Sequence, residues 1–476
     1  MQAIKLLKAP FYNQKTFAVI VALILFIGLI YNLFFPLPAL DGPWYLSHAF
    51  SVINGHQFKN TFAADYIDFY NLPYLYGDLS AIFYFPFAHT TLNLYSIFII
   101  NFILILSLLF LYYKLYLSLN KKFDSIFIFF ILAVIFSSAT YLQRPETIEQ
   151  IIIILFHLYL IKNHAKPTFI YYIIIGLFIT VTLLIHPVGG IYTIAFFSLY
   201  SLENIRSFKQ YFLSGLTTLI IFSLSYLPVV MIDFAQWKLN FFTRSYDNEQ
   251  RGASFYHVIK FCTYAYPLVG FTLLFFSSLR KQTLLKELII ILLFVIILMP
   301  FGRYYYYAYF FHLIFWRASV QIQGNVQSWK KILASCFILP GLAYSILPYY
   351  QILENKSYPS TFTKSLEYAR NASLQNPDKK VWVSPYLAMA VIDQNNGRLF
   401  YEHYVDSRGE KPLITNDIFL IEHLNMKDYI KGYLNNSTDS LQIKNILQPV
   451  KGLIKIGIKD QRSDSLGLWE ITVVKK

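Results

Sequence analysis

Long apolar runs separated by shorter polar segments set the pattern of this chain. Runs of roughly membrane-spanning length read as transmembrane helices. They fall near Phe17–Phe35, Leu94–Tyr113, Ile126–Tyr141, Ile148–Ile161, Phe169–Ile185, Ile191–Leu202, Tyr211–Ile232, His257–Phe276, Leu288–Phe301, Tyr304–Val320 and Ile332–Tyr349. The pattern therefore predicts a mainly α, polytopic transmembrane helical bundle of about eleven spans. Several runs are shorter than the usual ~20 residues. The shortest, Ile191–Leu202, follows His186-Pro-Val-Gly-Gly190. That segment reads either as a plain turn or as a non-helical cavity wall with His186 pointing inward. Non-helical backbone at membrane depth is tolerated only when buried in protein or lining water.

The polar breaks alternate in charge. One set carries Lys5, Lys8, Lys15, Lys114, Lys121, Lys122, Lys162, Lys166, Arg206, Lys209, Arg280, Lys281, Lys286, Lys330 and Lys331, fifteen in all. The alternate set carries six: Lys59, Arg144, Lys238, Arg244, Arg251 and Arg303. Cationic residues collect on the cytoplasmic side. The N-terminus is thus expected in the cytoplasm and, after an odd number of spans, the C-terminal tail outside. Met1 to Thr16 lacks a small-residue cleavage site before the first span and reads as an uncleaved signal-anchor.

From about Lys356 the pattern changes to mixed composition, with seventeen Lys/Arg and thirteen Asp/Glu. Alternation predicts strands at Lys380–Ser384, Arg398–Tyr401, Ile418–Ile421, Leu453–Ile458 and Leu468–Val474. Helices are predicted at Ala388–Gln394, Lys427–Leu434 and Leu441–Gln448. The expected division is a membrane part, 1–355, with a long first outer loop, 36–93, and a small C-terminal extracytoplasmic α/β domain, 356–476.

Composition agrees with a membrane protein. The chain is 56% hydrophobic, 19% aromatic and only 14% charged, against about 25% charged in a soluble domain. The net charge of +14 sits mainly at span ends and in the tail and does not point to nucleic acid. Cys262 and Cys336 are the only cysteines, so neither a disulfide framework nor a cysteine zinc site can be built.

Candidate chemistry lies in the segments expected outside. The first outer loop opens with Asp41-Gly-Pro-Trp-Tyr45-Leu-Ser-His48-Ala-Phe-Ser-Val-Ile-Asn-Gly55. Asp at an N-cap, Pro in the first turn and Gly past the end predict a surface helix over Pro43–Asn54. Asp41 is then either a cap or a carboxylate held where a lipid-borne substrate presents its head group. The same loop holds Asp65, Asp68 and Asp78 among many tyrosines, and flat aromatic faces beside carboxylates suit a sugar ring; aromatics also form the ordinary interfacial belt. Gln143-Arg-Pro-Glu-Thr-Ile-Glu149 is the next outer loop, with Pro145 and Glu146 suited to a helix start. Arg144 reads as a partner for a carboxylate or as a bidentate phosphate contact. In Phe301-Gly-Arg-Tyr304, Arg303 either snorkels to head groups or supplies a second cation, with tyrosine hydroxyls around it.

Asp41-x-x-x-Tyr45-x-x-x-Ala49-x-x-x-x-x-Gly55, with Arg-Pro-Glu at 144–146 and Gly-Arg-Tyr at 302–304, resembles the GT-C glycosyltransferases. That superfamily includes protein O-mannosyltransferases and lipid A aminoarabinose transferases. The likeness covers roughly Phe17 to Tyr349. It implies an inverting transferase in the bacterial cytoplasmic membrane, moving a sugar from a polyprenyl-phosphate donor to a hydroxyl of a glycan, lipid or protein acceptor. It further implies Asp41 as the base, Arg144 and Arg303 as phosphate binders, and substrate contacts from Tyr45, His48, Glu146, His186 and Tyr304. Many relatives carry a second acid after the first; here Gly42 stands there. A second-acid role, or the holding of a divalent metal ion, would fall to Asp65, Asp68 or Asp78. Two other classes share the pattern: a lipid-linked oligosaccharide ligase or polymerase, and a non-enzymatic transporter or scaffold of envelope polysaccharide assembly. The long acidic loop comes first rather than late, and no repeated halves are seen, which favours the transferase.

Overall fold

The computed structural model describes residues 49–55, 74–88, 90, 93–119, 145–164, 168–204, 208–232, 234, 238, 272, 275–276, 279–298, 307–321, 358–383, 387–399, 418–422, 454–460 and 468–475. These are mostly helical. They group into two compact units, one of residues 1–30 with 101–349, the other of 31–100 with 350–476.

In chain order the helices are α1 (Tyr74–Tyr84), α2 (Asn93–Leu119), α3 (Pro145–Asn163), α4 (Phe169–Ile185), α5 (Pro187–Asn204), α6 (Phe208–Ile232), α7 (Lys281–Leu298) and α8 (Tyr307–Gln321). α2 and α6 contain stretches, Phe102–Leu119 and Phe208–Pro228, long and apolar enough to cross a membrane. α4 is apolar but shorter. The expected spans at Phe17–Phe35, Ile126–Tyr141 and Ile332–Tyr349 lie outside the described residues, as does most of His257–Phe276.

In the first unit α4 packs against α3, α5 and α6, and α8 packs against α3 and α5. The core is aromatic: Tyr112, Phe156, Tyr192, Phe196, Tyr309, Phe311 and Phe315 are buried together. Thr217 ties α6 to α4 by donating to the Tyr172 carbonyl at 2.9 Å. The far side of α6 is apolar yet uncovered, with Phe208 84%, Leu224 73% and Met231 72% exposed. On α7, Leu285, Leu292 and Ile296 are likewise exposed. Apolar faces this extensive are unusual on a protein surrounded by water.

At 186–190 the chain makes the plain turn between two helices that is one of the two expectations; the non-helical wall is not found, because 187–190 are helical. His186 alone is extended, closing α4 and opening α5, and the helix restarts at Pro187. Proline is pre-set for a first helical position and its missing N–H costs nothing there. The two glycines are required by close approach. A Cβ on Gly189 would meet Glu149 Oε1 at 2.1 Å, and one on Gly190 would meet the Leu183 Cα at 2.6 Å. Gly190→Ala must displace backbone, whereas Gly189→Ala meets a side-chain end. We expect both to destabilise, by about 1–3 kcal/mol, with Gly190→Ala the worse. Thermal melting of the purified variants checks the order, and a Gly190→Ala protein as stable as wild type would refute the packing argument.

In the second unit, residues 49–53 are helical. Gly55 has φ +85° and its amide bonds the Val52 carbonyl at 3.0 Å. The predicted stop at Gly55 is thus present, because a left-handed residue after a helix favours glycine. The Phe50 and Tyr84 rings meet tilted, their centroids 5.7 Å apart. The tail contributes α9 (Tyr358–Gln375), α10 (Ala388–Val391) and five strands: β1 (Val381–Val383), β2 (Gly397–Leu399), β3 (Ile418–Glu422), β4 (Ile454–Asp460) and β5 (Leu468–Lys475). They form one sheet in the order β2-β1-β3-β5-β4, with β1 parallel to its two neighbours and β5 antiparallel to β3 and β4. All five expected strands are therefore observed. Asn396 pins α9 to the start of the sheet, donating to the Ser373, Asn376 and Lys379 carbonyls at 2.9, 2.9 and 3.0 Å. Arg370 pairs with Asp393 at 3.2 Å. The expected helices Lys427–Leu434 and Leu441–Gln448 lie outside the described residues.

Candidate functional site

One side of α3 is polar although the helix is otherwise apolar. Glu146, Glu149, Gln150 and His157 are all buried. Their separations of three, four and seven residues place them on a single face. That face turns toward α5 and α8.

At the start of α3 the Glu149 carboxylate is fully enclosed. Its Oε2 accepts from the Tyr309 hydroxyl in the first turn of α8. Gly189, in the first turn of α5, lies directly against Oε1, which has no hydrogen-bond partner. The backbone amide of His186 also lies against this carboxylate. A carboxylate at a helix start faces unpaired amides and the positive end of the helix dipole, which offsets part of its lost hydration. The His186 ring supports the same helix start, its Nδ1 accepting from the Val188 amide at 3.3 Å.

Next to Glu149 in the helix, Gln150 Oε1 accepts from Tyr112 at 3.3 Å, and two turns further along comes His157. His157 Nδ1 lies 3.2 Å from His312 Nε2, and His312 Nδ1 lies 2.8 Å from the Tyr192 hydroxyl. All three side chains are buried, and His157 Nε2 has no hydrogen-bond partner. Phe196 and Trp316 enclose the His157 ring at 4.8 and 5.1 Å.

At the opposite end of the core, Arg317 of α8 holds Glu287 of α7 with both faces of its fork: Nε to Oε2 at 2.7 Å and Nη2 to Oε1 at 2.6 Å. Its remaining nitrogen reaches Glu203 of α5 at 2.6 Å, and Lys286 reaches the same carboxylate at 3.1 Å.

Of the residues singled out in the sequence, the structure brings Glu146 and His186 to the Glu149 end of the core. Asp78 lies in α1, in the other unit. Asp41, Tyr45, His48, Asp65, Asp68, Arg144, Arg303 and Tyr304 lie outside the described residues. Glu149, His157, Tyr309, His312 and Arg317 were not singled out. The available signal was ionisable side chains inside apolar helices, which are costly and usually paired or functional. Among the described residues no three His, Cys, Asp or Glu side chains are grouped to hold a metal ion.

Asp78 is half-buried, and its Oδ1 has no hydrogen-bond partner. Burial raises its pKa above the ordinary 3.8. The folded state therefore holds this proton more tightly than the unfolded chain does. Stability is greatest below the ordinary value and falls as pH rises through the raised one. Asp78→Asn should remove that loss. Its melting temperature should exceed wild type near pH 7 and match it near pH 4, within about a degree or two. A constant offset across this range would contradict the assignment.

No family model matches the chain, and neither a curated protein nor a solved structure matches it.

Proposed function

We propose that the chain is an inverting glycosyltransferase of the cytoplasmic membrane, passing a sugar from a polyprenyl phosphate to an acceptor hydroxyl on the outer face. The observation that carries the reading is the meeting of three helix starts at Glu149. Arg144 directly precedes α3, His186 opens α5, and Arg303 precedes α8 by four residues. Three segments singled out for phosphate and acceptor chemistry thus belong in sequence to helix ends that meet. The uncovered apolar faces of α6 and α7 suit a lipid surround.

In this reading about eleven spans occupy 1–355, the loop 36–93 and the tail 356–476 lie outside, and the N-terminus lies inside. The acceptor oxygen attacks the anomeric carbon as the bond to phosphate breaks, and the configuration inverts. Asp41 takes the acceptor proton. The guanidinium groups of Arg144 and Arg303 offset the charge growing on the departing phosphate. Tyr45, His48, Glu146, Tyr304 and the outer-loop acids Asp65, Asp68 and Asp78 are assigned to binding the sugar and the acceptor.

The buried Arg317–Glu287 pair and the His157–His312 pair favour a second reading, a non-enzymatic transporter of envelope polysaccharide assembly. One experiment separates them. The purified protein in lipid vesicles is given labelled polyprenyl-phosphate hexose or pentose with membrane glycans, lipids and proteins as acceptors. Protein-dependent movement of label from the polyprenyl phosphate onto an acceptor supports transfer. Label that stays on its carrier with every donor, but crosses the bilayer, refutes transfer and supports transport.

A further inference from the structure

Tyr192, His312 and His157 form a hydrogen-bonded row in a core packed mainly from aromatic and aliphatic side chains. A purely structural role explains them poorly. Each buried hydrogen bond stabilises by only about 0.5–1.5 kcal/mol net. Apolar rings of the same size would fill the space without burying any polar group. The row also ends on an unsatisfied atom, His157 Nε2.

Ring contacts, rather than hydrogen bonds, extend the row in both directions. Toward the start of α3, the Tyr309 ring stacks on Tyr192 at 5.3 Å, and its hydroxyl donates to Glu149. Toward the end of α3, the Tyr200 ring lies 5.7 Å from His157, and its hydroxyl lies 3.3 Å from His164 Nδ1. Glu149, His157 and His164 are spaced along α3 by eight and seven residues, together about 22 Å of helix rise. Side chains of α5 and α8 fill both intervals. His164 at the far end is partly exposed.

We propose that Tyr192, His312 and His157 are the centre of a proton-transfer path through the α3–α5–α8 core, from Glu149 to His164. The step conserves charge and involves no oxidation. The Tyr192 hydroxyl gives its proton to His312 Nδ1 as it receives another from the Tyr309–Glu149 side. His312 Nε2–H passes its proton to His157 Nδ1. His157 Nε2–H, which has no hydrogen-bond partner, releases its own toward the Tyr200 end of the core; His164 Nδ1 donates to the Leu160 carbonyl at 3.0 Å, so only its other ring nitrogen can take up a proton there. Each imidazole must then turn over to regain its starting tautomer before a second proton follows. Proton-bearing chains of acids and histidines are the known use of such buried groups in membranes.

The test uses the full chain reconstituted in vesicles that enclose a pH-sensitive dye, with a potassium diffusion potential driving protons inward. Wild-type vesicles should acidify faster than protein-free ones. Tyr192→Phe removes one oxygen and keeps the ring; His157→Phe removes the open end of the row. Both should lower the flux by about 10²-fold, whereas Ser118→Ala on the exposed side of α2 should not. Co-elution with wild type on gel filtration establishes that each variant is folded, and Tyr192→Phe decides alone if His157→Phe is not. Flux no greater than in empty vesicles, or flux surviving in either folded variant, overturns the proposal. It does not rest on glycosyl transfer: a transferase without proton flux would leave that reading intact and overturn this one.

Discussion

Arg317→Leu should destabilise the protein by about 3–5 kcal/mol, the usual result of removing one partner from a buried ion pair. Glu287 is fully buried, and Arg317 supplies two of its hydrogen bonds. Without the guanidinium the carboxylate stays in the core with no cation. Glu203 has less at stake, because it is partly exposed and keeps Lys286 at 3.1 Å. An exposed pair of that kind contributes about 0.2–1 kcal/mol. The asymmetry supplies the control. Arg317→Leu combined with Glu287→Leu should recover most of the loss, because hydrophobic replacement of both partners is often neutral or better. Arg317→Lys should fall between, keeping charge but losing the fork. Thermal melting of the four proteins in one detergent is the measurement. A single variant that melts with wild type would show that the pair contributes nothing, and a double variant no better than the single would show that the loss does not come from an orphaned carboxylate.

Asp41→Asn should abolish sugar transfer and leave the fold in place. As an N-cap, Asp41 can be replaced by Asn at little cost, since both accept a helix N–H, while Ala would cost about 0.5–2 kcal/mol. As a general base it cannot, because an amide takes no proton. Positioned acid–base groups contribute roughly 10²–10⁴-fold in rate. The amide thus keeps the cap and removes the base. Donor binding should persist, since the cations assigned to the phosphate are untouched. Binding and turnover of polyprenyl-phosphate sugar by the variant are measured side by side. Turnover near that of wild type would make Asp41 a cap only and move the base to Asp65, Asp68 or Asp78.

Local signals suffice where a single stretch of sequence carries the whole element. Phe169–Ile185 matches α4 to the residue, because Thr168 caps it, accepting from the Tyr171 amide at 3.3 Å, and His186-Pro187 stops it. The five tail strands were legible from alternation, and Gly55 from its place after a helix. Pro187-Val-Gly-Gly190 misled because proline and glycine also mark breaks; here proline sits at a helix start, and the glycines answer Glu149 and Leu183. α9 was missed because its buried face includes Ser365, Ala369 and Ser373 beside Leu366, too polar a set to stand out. The buried polar seam was missed for another reason. Tyr309 is 160 residues from Glu149, and His312 is 155 from His157. Each looks unremarkable alone; only packing makes them partners. The residues on which the transferase reading most depends, Asp41, Arg144 and Arg303, lie outside the described residues.

The joint between α4 and α5 has a mechanical consequence. A single extended residue, His186, separates two helices of 17 and 18 residues. So short a joint leaves no slack. Leu183 and Gly190 lie in contact across it, and the His186 ring is bonded to the helix it begins. The two helices pack against each other as well as meeting at a single residue, so a shift of either at this end passes directly to the other. Glu149 lies against this joint through Gly189. A displacement imposed at this corner is therefore passed to both α4 and α5 rather than absorbed in a loop.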